Sequence, residues 1–168
     1  NNMNNLVGDN IGLTHLIAGI FAVIFGGLIL ILNKGTKTHR QVGYLYVLSM
    51  IVLIVSSFGI YRLFNGFGLF HFFSIVATTS LVLGMIPMLK KERKAKDYKT
   101  HFTRMYFSVV GLYAAFAAES FVRIPKLGTF WSIVAWSFIL VVATSIYAFI
   151  RKQKEWTEKF AKEATDIK

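Results

Sequence analysis

Five apolar runs of about twenty residues, each bounded by charged or turn-forming residues, account for most of this 168-residue chain. A helix needs about 20 apolar residues to cross the ~30 Å hydrocarbon core of a bilayer. In lipid, its backbone polar groups must be hydrogen-bonded within the segment. The runs therefore predict an all-α integral membrane protein, an up-down helical bundle with five transmembrane helices. The predicted spans are residues 11–32, 42–61, 69–89, 102–122 and 130–150.

Composition supports the same class and excludes others. Hydrophobic residues make up 55% of the chain, above the roughly 45 to 50% of soluble domains. The spans leave room for a single transmembrane domain, residues 1–168, with a basic cytoplasmic tail at 151–168. The absence of cysteine excludes disulfides and thiolate metal sites. The net charge of +11 lies between the apolar runs, where it contacts anionic lipid, so nucleic acid is not an expected partner.

The basic residues also predict the orientation of the chain. Sixteen of the 19 Lys and Arg residues follow the first, third and fifth spans. Because Lys and Arg accumulate on the cytoplasmic side, the N-terminus is expected outside and the C-terminus inside. Residues 1–10 lack the positive region of a signal peptide, so the first run is expected to be a retained span.

Four histidines lie near the starts of the first four runs: His15 and His71 just inside theirs, His39 in the loop three residues before the second run, and His101 one residue before the fourth. Consecutive spans cross in opposite directions, so His15 and His71 are expected at the outer face and His39 and His101 at the inner face. The helical rise places the outer pair about 3 to 6 Å below the boundary. In an up-down bundle, alternate helices are diagonal across the core. An imidazole in lipid is costly without a partner, so each pair is predicted to share a bound group.

A b-type haem fits such a pair, because two imidazoles approach its iron from opposite faces of the macrocycle. Gly19 and Gly43 follow His15 and His39 at i+4. At that spacing they share the face of the ligand and leave room for a porphyrin edge. The cations expected near the propionates are Arg62 and Arg123 at the outer face, and Lys37, Arg40 and Arg104 at the inner face.

Two other functions remain open. Glu119 is the one acidic residue within the predicted spans, and its expected depth in the membrane is the same as that of His15 and His71. These three side chains could bind Zn or Fe and make a metal-dependent intramembrane enzyme. Alternatively, Glu119 pairs with Arg123 or Arg62 as a structural lock. The histidines would then be interfacial, and the chain a non-catalytic membrane assembly subunit.

In the blocks GLTHLIAG, GTKTHRQVGYLYVLSM, FGLFHFF and SVVGLYAAFAAESFVRIP, the chain resembles a family of small predicted bacterial integral membrane proteins of unknown function. This resemblance covers nearly all five spans. In architecture the chain is similar to the di-haem transmembrane b-type cytochromes. That similarity implies an outer haem on His15 and His71 and an inner haem on His39 and His101. It also implies transmembrane electron transfer, exchange with a quinone or another redox partner, and a multi-pass position in the bacterial cytoplasmic membrane.

Overall fold

Every regular element in the described part of the chain is a helix. The structure is a computed structural model that describes residues 9–60, 66–124 and 126–165, with side chains described as far as Arg151. The helices are α1 (Asn10–Ile31), α2 (Lys37–Ser57), α3 (Leu69–Met85), a 3₁₀ segment (Ile86–Leu89), α4 (Ala95–Val122) and α5 (Phe130–Thr165). Five helical segments in these residues are long and apolar enough to cross a membrane. In the described residues the predicted all-helical class and the five helices of membrane-spanning length are confirmed, which fits a multi-pass membrane protein. The up-down bundle and the orientation of the termini stay predictions.

The first two helices are capped by side-chain oxygens. Asp9 accepts a hydrogen bond from the Gly12 N–H at 2.8 Å, and Thr36 accepts one from the His39 N–H at 3.1 Å. Such caps bond N–H groups that lack a helical partner. With Thr36 as its cap, α2 begins at Lys37 rather than at residue 42. His39 therefore lies inside the first turn of α2, not in the preceding loop.

The fourth helix also begins earlier than the apolar run predicts, at Ala95 rather than at residue 102. The buried carboxylate of Asp97 accepts a hydrogen bond from the Lys94 N–H at 2.9 Å. It also forms an ion pair with Lys90 Nζ at 2.5 Å. An acidic side chain at this position stabilises a helix start. His101 therefore lies well inside α4.

Helix ends depart from the predicted spans as well. α2 ends at Ser57, and Tyr61, the predicted end of this span, lies outside the described residues. The α-helical part of α3 ends at Met85, and the 3₁₀ segment that contains Pro87 carries the chain to the predicted end at Leu89. α5 continues to Thr165. The basic tail after the predicted fifth span therefore prolongs α5.

The chain divides into two compact units, residues 1–78 and 79–168. In the first unit α1 packs along α2. The buried residues of α1 are mainly small and those of α2 are larger, which lets the two backbones approach closely, as is common between membrane helices. They are Ala18, Gly19, Ala22, Gly26 and Ile29 on α1, and Tyr46, Met50, Ile54 and Ser56 on α2.

In the second unit α4 packs against α5 and against the 3₁₀ segment. The Tyr106 hydroxyl donates a hydrogen bond to the Ser145 carbonyl at 2.8 Å. Around it, the ring of Phe149 lies 5.2 Å from Tyr106, 5.5 Å from Phe107 and 6.1 Å from Phe102, centroid to centroid. Such ring pairs stabilise packing beyond their buried area. This aromatic cluster fixes the N-terminal half of α4 against α5.

Candidate functional site

His15 connects α1 to the end of α2. Its Nδ1 lies 3.1 Å from the Leu53 carbonyl oxygen and 3.1 Å from the Ser56 hydroxyl. The Ser56 hydroxyl itself donates to the Leu53 carbonyl at 3.0 Å. Because a carbonyl only accepts, the contact with Leu53 is a hydrogen bond when Nδ1 carries the proton. The neutral ring then has its lone pair on Nε2, the tautomer in which Nε2 can bind a metal.

His101 makes the same kind of bond in the second unit. Its Nδ1 lies 2.8 Å from the Gly84 carbonyl oxygen, near the end of α3. By the same argument Nδ1 donates and Nε2 carries the lone pair. A hydrogen bond from Nδ1 to a carbonyl also fixes the orientation of the ring. His15 and His101 thus share one arrangement, although the sequence assigned them to different faces.

His71 has the opposite arrangement. It is 4% exposed, and its Nδ1 accepts a hydrogen bond from the Gly68 N–H at 3.1 Å. Since Nδ1 is the acceptor, the proton of the neutral ring is on Nε2. The ring stacks on Phe67 at 5.1 Å and lies 6.0 Å from Phe58. Ligation of a metal through Nε2 would require this proton to move and the bond from Gly68 to be replaced.

His39 is half-buried in the first turn of α2, and its Nδ1 atom is fully enclosed. Its backbone N–H bonds to the Thr36 cap. The predicted position of this residue, in the loop before the span, was therefore wrong. An imidazole fixed to a helix has a defined direction, which a loop residue does not, so this correction favours a specific role for His39.

The two predicted glycines differ in what surrounds them. A Cβ built on Gly19 would lie 3.4 Å from the Leu53 side chain, so this glycine is part of the contact between α1 and α2. A Cβ on Gly43 would meet nothing within 4 Å. Only Gly43 therefore borders open space of the kind that a porphyrin edge needs, and Gly19 serves helix packing.

The predicted cations that the structure describes are all exposed. Lys37, Arg40, Arg104 and Arg123 are exposed, as an interfacial cation would be. Arg62 lies outside the described residues. Glu119 is half-buried on α4. Among the residues that the structure describes, no three His, Asp or Glu side chains form a group that could hold a metal ion. The site of His15, His71 and Glu119 thus gains no support from the structure and stays a prediction.

Sequence reasoning missed a set of serines at the end of α2. The Ser57 and Ser74 hydroxyls lie 2.7 Å apart and connect α2 to α3, next in sequence to the Ser56 contact with His15. Ser56, with 9% exposure, is buried. The sequence places these serines in apolar runs, where a hydroxyl needs a hydrogen-bond partner. Their position alone therefore indicated that they form hydrogen bonds. They join three helices of the first unit close to His15.

Comparisons with family models, with curated proteins and with solved structures found no match for this chain. The function therefore has to be argued from the site itself.

Proposed function

We propose that this chain is a membrane protein that binds b-type haem and transfers electrons across the bilayer. The observation that carries the proposal is the hydrogen bond from Nδ1 of both His15 and His101 to a backbone carbonyl. This bond leaves the lone pair on Nε2 and makes the imidazole a better ligand. In this tautomer, one histidine of each predicted pair, His15 of the outer and His101 of the inner, would bind iron through Nε2.

The remaining ligands are His71 at the outer face and His39 at the inner face. His71 lies on the first turn of α3, in the same compact unit as His15. His71 would hold the haem through Nε2, which requires its ring to give up the bond from the Gly68 N–H. Beside His39, the open space at Gly43 accepts an edge of the macrocycle. The exposed Arg40, Arg104 and Arg123 pair with propionates.

Bound haem supplies a one-electron centre, and the chain holds it, excludes water and sets its potential. Two centres at opposite faces would relay electrons through the bundle. We place the N-terminus outside and the C-terminus inside, in the cytoplasmic membrane of a bacterium, because the positive charges concentrate on one side. The electrons are exchanged with a quinone or with another redox partner.

The test is a reduced-minus-oxidised visible spectrum of protein purified after expression with added haem. We expect b-type bands and close to two haems per chain, and His15→Ala and His101→Ala should each lose one haem. Thr144→Ala is the matched control, because this hydroxyl bonds only backbone carbonyls of its own helix and should leave both haems in place. A colourless protein that also fails to bind added hemin would refute the proposal.

A further inference from the structure

Pro87 has no N–H, so the backbone at the end of α3 lacks a donor for the carbonyls that precede it. α3 changes from α to 3₁₀ geometry after Met85. In a 3₁₀ helix each carbonyl bonds the N–H three residues ahead, and for Gly84 that residue is Pro87, which has no N–H. Since a 3₁₀ N–H bonds the carbonyl three residues back, this geometry would direct the Met88 N–H to Met85 rather than to Gly84. The Gly84 carbonyl is therefore free to accept the proton of His101 Nδ1, at 2.8 Å.

Gly84 is also the residue that lets α4 come close enough. A Cβ at this position would lie 2.9 Å from Met105 Sδ and 3.2 Å from Arg104 Cβ. Both contacts are closer than ordinary packing allows. Arg104 and Met105 follow His101 by three and four residues, so they lie on the same face of α4. A larger residue at position 84 would push this face, and His101 with it, away from the carbonyl.

We infer that Gly84 and Pro87 are positioning residues for His101, holding its ring in the tautomer and direction in which Nε2 binds haem iron. Pro87 frees the carbonyl, and Gly84 presents it to α4. Both are buried, as a fixed acceptor inside a packed interface requires. In the part concerning iron, the inference rests on the proposed function. The tautomer of His101 is a property of the chain alone.

Pro87→Ala tests the inference. With an N–H restored and α-helical bonding allowed to continue, Gly84 should regain Met88 as its donor. Nitrogen-15 NMR of histidine-labelled protein without haem should then show loss of the single Nδ1–H state of His101. Hemin titration should show affinity at this site reduced about 10- to 100-fold, the usual effect of removing such a supporting bond. The midpoint potential of the remaining inner haem should rise, because its ligand is less basic.

Gly84→Ala is the second variant, since it keeps Pro87 and lengthens the bond by pushing Met105. Lys90→Gln is the matched control. It removes the Lys90–Asp97 ion pair of the same connection but leaves the Gly84 carbonyl in place, so tautomer and affinity should be those of the wild type.

Wild-type tautomer and wild-type hemin affinity in Pro87→Ala and Gly84→Ala would overturn the inference. So would a changed tautomer with unchanged affinity. If the wild type binds no hemin, the proposed function fails, and the positioning of the imidazole is still decided by NMR.

Discussion

Replacing Ala22 with leucine should separate α1 from α2 and disturb His15. Ala22 is 0% exposed in the buried face of α1, so the three added carbons have no free volume to occupy. Overpacking of this kind costs about 1 to 3 kcal/mol. His15 lies two turns away on the same helix, and its 3.1 Å bond to the Leu53 carbonyl should lengthen. Such a bond between membrane helices contributes about 0.6 kcal/mol, so the free energy of unfolding should fall by about 1.6 to 3.6 kcal/mol.

The assay is reversible unfolding in mixed micelles, followed by a probe that reports separation of the first two helices. Ala143→Leu is the control, because Ala143 is exposed on α5 and its substitution should change stability by less than about 0.5 kcal/mol. If Ala22→Leu unfolds at the same denaturant concentration as Ala143→Leu, the two helices do not meet through this face. The account of how His15 reaches α2 would then be refuted.

Gly43→Ala should leave the free energy of unfolding unchanged or slightly raised, because alanine favours helix and the new Cβ meets nothing within 4 Å. The same substitution should weaken hemin binding severalfold. Unchanged hemin binding would show that no porphyrin edge lies there. Tyr106→Phe removes the bond to the Ser145 carbonyl and should lower the unfolding free energy by about 0.6 kcal/mol, and an equally stable variant would contradict that bond. Asp97→Asn should speed amide hydrogen exchange in the first turn of α4, with a smaller difference at high salt because the ion pair with Lys90 is screened; identical exchange at low salt would count against the cap.

The apolar runs located the membrane-crossing part of each helix, because a lipid-exposed residue has to be apolar whatever its neighbours are. They did not locate the helix starts at Lys37 and Ala95. Lys, Arg and Gln are good helix formers in water, so a helix can begin in the headgroup region before its sequence becomes apolar. The N-cap residue Thr36 and the acidic N3 residue Asp97 were the signals that would have corrected these helix starts.

The histidines of the candidate site were found from the sequence because a polar ring in an apolar run stands out. Their partners were not, since the Leu53 and Gly84 carbonyls are backbone atoms and no side chain marks them. Pro87, three residues after Gly84, was a usable signal for the second carbonyl. The spacing of Gly19 after His15 did not distinguish cofactor space from helix packing. That distinction depends on Leu53, which is far away in sequence.

Electron transfer across a closed vesicle tests the central claim most directly. Protein loaded with hemin is placed in vesicles that enclose ferricyanide, and ascorbate, which does not cross the bilayer, is added outside. We predict that the enclosed ferricyanide is reduced by wild-type protein and by Thr144→Ala, and that His15→Ala and His101→Ala reduce it no faster than protein-free vesicles. Wild-type vesicles that reduce it at the protein-free rate would contradict the account.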